Sequence, residues 1–164
     1  MRTVLFLCTG NYYRSRFAEE LFNARAGEAG LNWRAASRGL AIERGKDNVG
    51  PVSALVRSAL AELGVVPAGV HRFPASCTVA DFESADLIIA LSDAEHRPLM
   101  LERYAEWHAR TEFWDIEDVG LTPLPRRAPR HSGANRGAGR AIDGGRREPC
   151  RRPHLKPSAG GAYR

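Results

Sequence analysis

Eight residues near the start of the chain, Cys8-Thr9-Gly10-Asn11-Tyr12-Tyr13-Arg14-Ser15, place a thiol, a glycine and a guanidinium within one short loop. An apolar run, Thr3-Val4-Leu5-Phe6-Leu7, leads into it, and a helical pattern begins near Ser15. A strand, a glycine-containing loop and a helix start together make an anion cradle: backbone N–H groups point inward and the helix dipole adds partial positive charge. A cysteine at the entrance of such a loop is favoured as thiolate, and so is nucleophilic near neutral pH. An arginine at its exit offers a planar fork that grips two phosphate oxygens at once. The chemistry these parts suit is nucleophilic attack by sulfur on phosphorus. Two roles are open for Ser15: its hydroxyl can donate to the Cys8 thiolate, or it can cap the helix. Asn11 can tie the loop by side-chain bonds or simply tolerate a left-handed backbone. Tyr12 can stack on an aryl substrate or narrow the entrance. Thr9, Gly10 and Tyr13 complete the binding loop.

The elements that must position this loop follow from periodicity. Residues 3–8 read as a buried strand. Residues 15–28 read as a helix, with Phe17, Ala18, Leu21, Phe22 and Ala24 on one face. A second strand is expected over 33–37. Pro51 suits a first helical position, and Gly64 closes that helix. A short helix near residues 79–82 precedes a third strand at 87–91. Ser92 or Asp93 caps the next helix, which Pro98 is expected to divide into an initial turn and a main body through Trp107. Residues 111–116 make a fourth strand. Strand and helix alternate throughout, so the fold class is α/β, a three-layer, four-stranded parallel sheet with helices on both faces. Ligands of such sheets bind beyond the carboxyl ends of the strands, where Cys8 lies.

Charge divides the chain in two. Residues 122–164 carry eleven Arg or Lys against Asp143 and Glu148, whereas residues 1–121 carry thirteen basic and seventeen acidic residues. The tail is rich in Arg, Pro, Gly and Ala and poor in large apolar residues, a composition that predicts disorder. The expected organisation is therefore a domain over 1–121 and a disordered tail over 122–164. The basic tail lacks interleaved aromatics and implies no specific nucleic-acid partner. Three dispersed cysteines, Cys8, Cys77 and Cys150, form no disulfide framework and suggest free thiols in a reducing cytoplasm. The short N-terminal apolar run predicts neither a signal peptide nor a membrane span. The histidines show no metal-ligand spacing, so no metal or other cofactor is implied.

The loop resembles the N-terminal signature of the low-molecular-weight protein tyrosine phosphatases, Cys-x-Gly-Asn-x-Cys-Arg-Ser-Pro, on Cys8, Gly10, Asn11, Arg14 and Ser15. Tyr13 stands where that family often has a second cysteine, and Arg16 where it has proline. Ser37-Arg38-Gly39 partly matches a Ser-Ala-Gly segment. The resemblance implies hydrolysis of a phosphomonoester, a phosphorylated protein or small aryl phosphate, through a cysteinyl-phosphate. Cys8 would attack, Arg14 and the loop would hold the oxygens, and a loop aspartate would protonate the leaving group. Ile116-Glu117-Asp118-Val119 lies where the family runs Ile-Pro-Asp-Pro, so Asp118 is the expected general acid, with Asp115 as fallback. The family's final covering helix has no counterpart here. Rival readings are a non-catalytic phosphate or phosphoprotein binder, an arsenate reductase, and a phosphoarginine phosphatase. The sequence leaves the oligomeric state open.

Limited trypsin digestion is expected to remove most of the tail, leaving a core that binds hydrophobic dye. A trypsin-resistant tail, or a trimmed core that melts sharply without binding dye, contradicts this.

Overall fold

The computed structural model describes residues 1–116. Its centre is one sheet of β1 (Arg2–Cys8), β2 (Trp33–Gly39), β3 (Leu87–Ala90) and β4 (Thr111–Phe113), all parallel, in the order β2-β1-β3-β4. The apolar run of β1 is continuous because β1 sits between two strands and is covered on both faces. The two-residue period of a strand sends Leu5 and Leu7 to one side, with Leu40, Phe82, Ile88, Leu99 and Met100. Val4 and Phe6 go to the other, with Ala35, Ile89 and Leu91. Helix α1 (Arg14–Glu28) packs over this second face through Ala18 and Phe22, and its Phe17, Leu21 and Ala24 meet α2 (Ala54–Glu62). Helices α3 (Val79–Ser84) and α4 (Asp93–Arg103) cover the first face. The predicted three layers are present.

Register delivers the cradle. Cys8, the last residue of β1, lies opposite Gly39, the last of β2. Leu40 N–H and Ala41 N–H continue the pairing onto Cys8 O and Thr9 O, each at 2.9 Å. Gly39 has no room for a side chain: a Cβ there would stand 2.5 Å from Ile42 Cγ2 and 3.0 Å from Thr9 O. The second strand therefore ends in glycine so that the loop can pass close over it.

Several boundaries differ from the sequence reading. Helix α2 begins at Ala54 rather than Pro51, because Ser53 caps it by accepting from Leu55 N–H at 3.2 Å. Gly64 ends that helix as expected, in a left-handed conformation at φ 72°. Pro98 does not divide α4, which runs unbroken from Asp93 to Arg103. Proline there removes one intrahelical bond, while the buried His96, Leu99 and Met100 anchor the turns around it. The fourth strand stops at Phe113, although Trp114 and Ile116 N–H still reach Ala90 O and Leu91 O at 2.9 and 3.2 Å. On α1 the expected apolar face is only half-buried, whereas Ser15, Arg16, Glu20 and Ala26 are its buried residues. An apolar cavity of about 390 Å³ opens beside that face, lined chiefly by Phe17, Leu21, Phe22, Leu91, Trp114 and Ile116. The expected tail over 122–164 lies outside the described residues. Among the described residues no helix is long and apolar enough to cross a membrane.

His96 is fully enclosed, and among the described residues neither ring nitrogen has a hydrogen-bond partner. Burial, reinforced by the Arg14 charge and opposed by Glu95, pushes its pKa down from 6.5 to about 4. The folded-state value lies below the unfolded one, so protons favour the unfolded chain. Stability should fall as pH drops from about 6.5 toward about 4, by about 3 kcal/mol in all, and this effect should vanish above that window. Urea unfolding at pH 7 and 4.5 should show a smaller acid loss for His96→Leu than for wild type; equal losses contradict the assignment.

Candidate active site

Two donors converge on the sulfur at the end of β1. Asn11 N–H donates to Cys8 Sγ at 3.2 Å, and Ser15 Oγ lies 3.0 Å from it. Ser15 Oγ already accepts from Asn11 Nδ2 at 3.0 Å, which directs the Ser15 hydroxyl proton to the sulfur. Such donors are where a thiolate needs them. Among the described residues the start of α1 has no side-chain cap hydrogen bond, and the Ser15 hydroxyl lies against the sulfur instead. Asn11 performs both of its candidate roles. Its backbone is left-handed at φ 49°, and its fully buried amide also donates to Ser37 Oγ at 2.9 Å. The amide oxygen accepts from Ala75 N–H at 3.0 Å and Arg72 Nη1 at 3.4 Å.

Behind this first layer lies an ionic cluster in which Arg16 and Glu20 are buried and Glu19 and Arg72 partly so. Arg16, the residue that departs from the resembling signature, is fully buried. Its guanidinium donates to the backbone carbonyls of Arg72, at 2.7 Å, and Gly69. Burial lowers its pKa, Arg72 adds to that, and the Glu19 and Glu20 carboxylates oppose it. Glu20 accepts from Ala68 and Gly69 N–H, both at 2.9 Å. A side chain on Gly69 would meet the Glu20 carboxylate and the Arg16 guanidinium, which would have to shift to admit it. Arg72 pairs with Glu19 and donates to Ser37 Oγ at 3.0 Å, while Ser37 donates to Glu19 at 2.6 Å.

In front of the sulfur is a cavity of about 210 Å³, lined by the loop from Cys8 to Gly10, by Tyr12, Tyr13 and Arg14, and by Arg44, Gly45 and Asn48. Tyr12 is fixed as a wall, its hydroxyl donating to Val49 O at 2.6 Å. No nucleophile is among the described residues that line the larger apolar cavity, although Arg14 borders both. Arg14 meets Glu95 through two bonds, Nη2 to Oε2 at 2.6 Å and Nη1 to Oε1 at 3.3 Å. Thr9 Oγ1 adds a third contact to Glu95 at 3.4 Å. The Arg14 bond holds the Glu95 carboxyl below its usual range. Asp115, the fallback acid, accepts from Asp93 N–H at 3.1 Å at the start of α4. Asp118 lies outside the described residues. Burial, with help from Asp81, pushes the Cys77 thiol up to about 12.

The sequence profile of the low molecular weight phosphotyrosine protein phosphatase family matches residues 3–118. The chain belongs to this family. Among solved phosphatases of the family, that of T. tengcongensis is 30% identical, with a TM-score of 0.62 over 76% of this chain and 86% of its own. A mutant of YwlE from Bacillus subtilis is 26% identical, with a TM-score of 0.58 over 69% and 71% of the two chains. The protein-arginine-phosphatase of Bacillus subtilis (strain 168) is 30% identical over 105 residues, 63% of this chain. The match spans 64% of that relative's length.

Of the expected site residues, Cys8, Thr9, Gly10, Tyr12, Tyr13 and Arg14 line the smaller cavity, whereas Asn11 and Ser15 meet the Cys8 sulfur without being among its described lining. Sequence reasoning did not place Glu19, Ser37, Arg44, Asn48, Arg72 and Glu95 at the site. Of these only Ser37 carried a signal, as part of the Ser-Arg-Gly segment closing β2.

Iodoacetamide at neutral pH, followed by peptide mapping, should label Cys8 and leave Cys77 unlabelled, because Cys77 stays protonated far above pH 7. Inorganic phosphate should protect Cys8 by filling the cradle. Labelling of Cys77 before Cys8, or no protection by phosphate, contradicts the site.

Proposed function

We propose that this phosphatase-family chain hydrolyses aryl phosphomonoesters, with phosphotyrosine on proteins as its substrate class, in two displacements at phosphorus. The single observation that carries this reading is the sulfur of Cys8, met by two donors at the floor of a cavity that Arg14 borders. In the first step the thiolate attacks phosphorus and the ester P–O bond breaks. The leaving oxygen takes a proton from Asp118. In the second step water attacks the cysteinyl-phosphate, the Asp118 carboxylate takes a proton from that water, and inorganic phosphate leaves as the thiolate returns. Arg14 and the loop amides hold the equatorial oxygens, whose charge spreads in the transition state.

Substrate choice follows from the walls. Tyr12 and Tyr13 offer aromatic surface to an aryl ring. Arg44 puts a cation on the lining. A phosphoarginine side chain, bringing its own guanidinium, would meet repulsion there. The likeness to a protein-arginine-phosphatase favours that second substrate, so both belong in the test. Arsenate reduction needs a second reactive thiol, a role ill suited to Cys77 with its pKa near 12.

Steady-state kinetics with p-nitrophenyl phosphate, a phosphotyrosine peptide and phosphoarginine test the reading. Phosphotyrosine should be preferred over phosphoarginine, and Cys8→Ser should abolish turnover. Asp118→Asn should slow esters with poor leaving groups by about 10²–10⁴-fold and good ones far less. The same dependence in Asp115→Asn moves the acid there. A wild type that binds phosphate without turnover is a non-catalytic binder.

A further inference from the structure

Two residues of α1, Arg16 and Glu20, stand about one turn apart on the same side of the helix, and both are buried. They reach one short segment with complementary bonds. The Arg16 guanidinium donates to Gly69 O and, at 2.7 Å, to Arg72 O. The Glu20 carboxylate accepts from Ala68 N–H and Gly69 N–H, each at 2.9 Å. Between these grips the segment turns, with Arg72 N–H donating to Gly69 O at 3.0 Å. Replacing buried opposite charges by apolar residues of like size is often neutral or stabilising, so stability alone does not account for such a clasp. The clasped segment leads to the back of the cradle. Arg72 Nη2 donates to Ser37 Oγ at 3.0 Å, and Arg72 Nη1 to Asn11 Oδ1 at 3.4 Å. Ala75 N–H donates to the same Asn11 oxygen at 3.0 Å, and Asn11 presents its own N–H to the Cys8 sulfur.

We propose that Arg16 and Glu20 are positioning residues of the cradle: they clasp the turn at residues 68–72, so that Arg72 and Ala75 hold Asn11 with its N–H on the Cys8 sulfur. Neither is among the described residues that line the cavity in front of the sulfur, so their effect passes through the segment. A guanidinium suits the task because its rigid fork bonds two carbonyls at once. Arg72 brings a second cation close to Arg16, and the Glu19 carboxylate, 3.7 Å from Arg16 Nε and paired with Arg72, offsets their repulsion. The signature that the loop resembles has proline in place of Arg16, and proline carries no donor for these carbonyls. The clasp therefore lies outside that signature.

For turnover the inference rests on the phosphomonoesterase reading, but it has a second readout at the thiol. Arg16→Met/Glu20→Met removes both charges together and leaves neither alone in the interior. It should lower kcat/KM for p-nitrophenyl phosphate by about 10–100-fold, the scale of a small misplacement of a catalytic group. Iodoacetamide should alkylate its Cys8 several-fold more slowly at pH 7, and the deficit should close at high pH, where the thiol ionises without help. Arg16→Lys, which keeps the charge but not the fork, should show part of both deficits. In an Asn11→Gly background, which keeps the left-handed backbone but removes the amide, the double change should cost little more. A double variant that melts lower yet matches wild type in kinetics and alkylation shows a structural role only and overturns the proposal. So does an Arg16→Lys equal to wild type, because the buried charge rather than the clasp is then what acts, and so do losses that simply multiply with Asn11→Gly. Should the double variant fail to fold, Arg16→Lys alone and in the Asn11→Gly background decides by the same criteria. If wild type proves inactive, the proposed function fails, and the alkylation profile of Cys8 still decides: equal profiles in wild type and the Arg16 variants sink the inference.

Discussion

The site depends on Asn11 being held in a conformation that its backbone alone would not choose. A left-handed φ is uncommon for any residue but glycine, and asparagine among the rest tolerates it best. Here it turns the Asn11 N–H onto the sulfur and points the amide inward, where every polar atom finds a partner. The side-chain partners come from three places: Ser15 in α1, Ser37 in β2, and Arg72 and Ala75 in the segment leading to α3. The loop is thus shaped from behind, before any phosphate arrives. Preorganisation of this kind is what electrostatic catalysis requires, because donors already aimed at the developing charge cost nothing to reorient.

Behind Asn11, Arg16 is the unexpected element. Charges are costly to bury, and they persist inside proteins where partners surround them. Arg16 is surrounded by two backbone carbonyls and two carboxylates, and through them it fastens the Pro67–Phe73 segment against α1. That segment delivers Arg72 to Ser37 and Asn11. An arginine at the helix start therefore acts on the thiol's surroundings without touching the sulfur.

The fold and the front of the cradle were legible in sequence because both are local. The run of β1, the glycine and the amphipathic pattern of α1 lie within about thirty residues, and alternation of strands and helices fixes the rest of the topology. What escaped was long-range. Arg16, Glu19 and Glu20 lie off the apolar face expected of α1, and only the fold shows that residues 68–72 lie over Arg16 and Glu20. Arg72 is 61 residues from Asn11, and Glu95 is 81 from Arg14, so no spacing rule links them. Pro98 misled for the opposite reason. A local rule predicted a break, and the packing of His96, Leu99 and Met100 overrode it.

The ionic cluster also sets how this sequence can drift. Removing Arg72 alone takes a cation from Glu19 and a donor from Ser37, and removing Glu19 alone leaves the Arg16 and Arg72 guanidiniums without the carboxylate between them. Changing Ser37 alone breaks contacts to Asn11, Arg72 and Glu19 together. Single substitutions at these positions should therefore cost more than compensated combinations. Across descendants of this chain, positions 16, 19, 37 and 72 should change as a block or not at all, leaving a covariation signature between residues far apart in sequence.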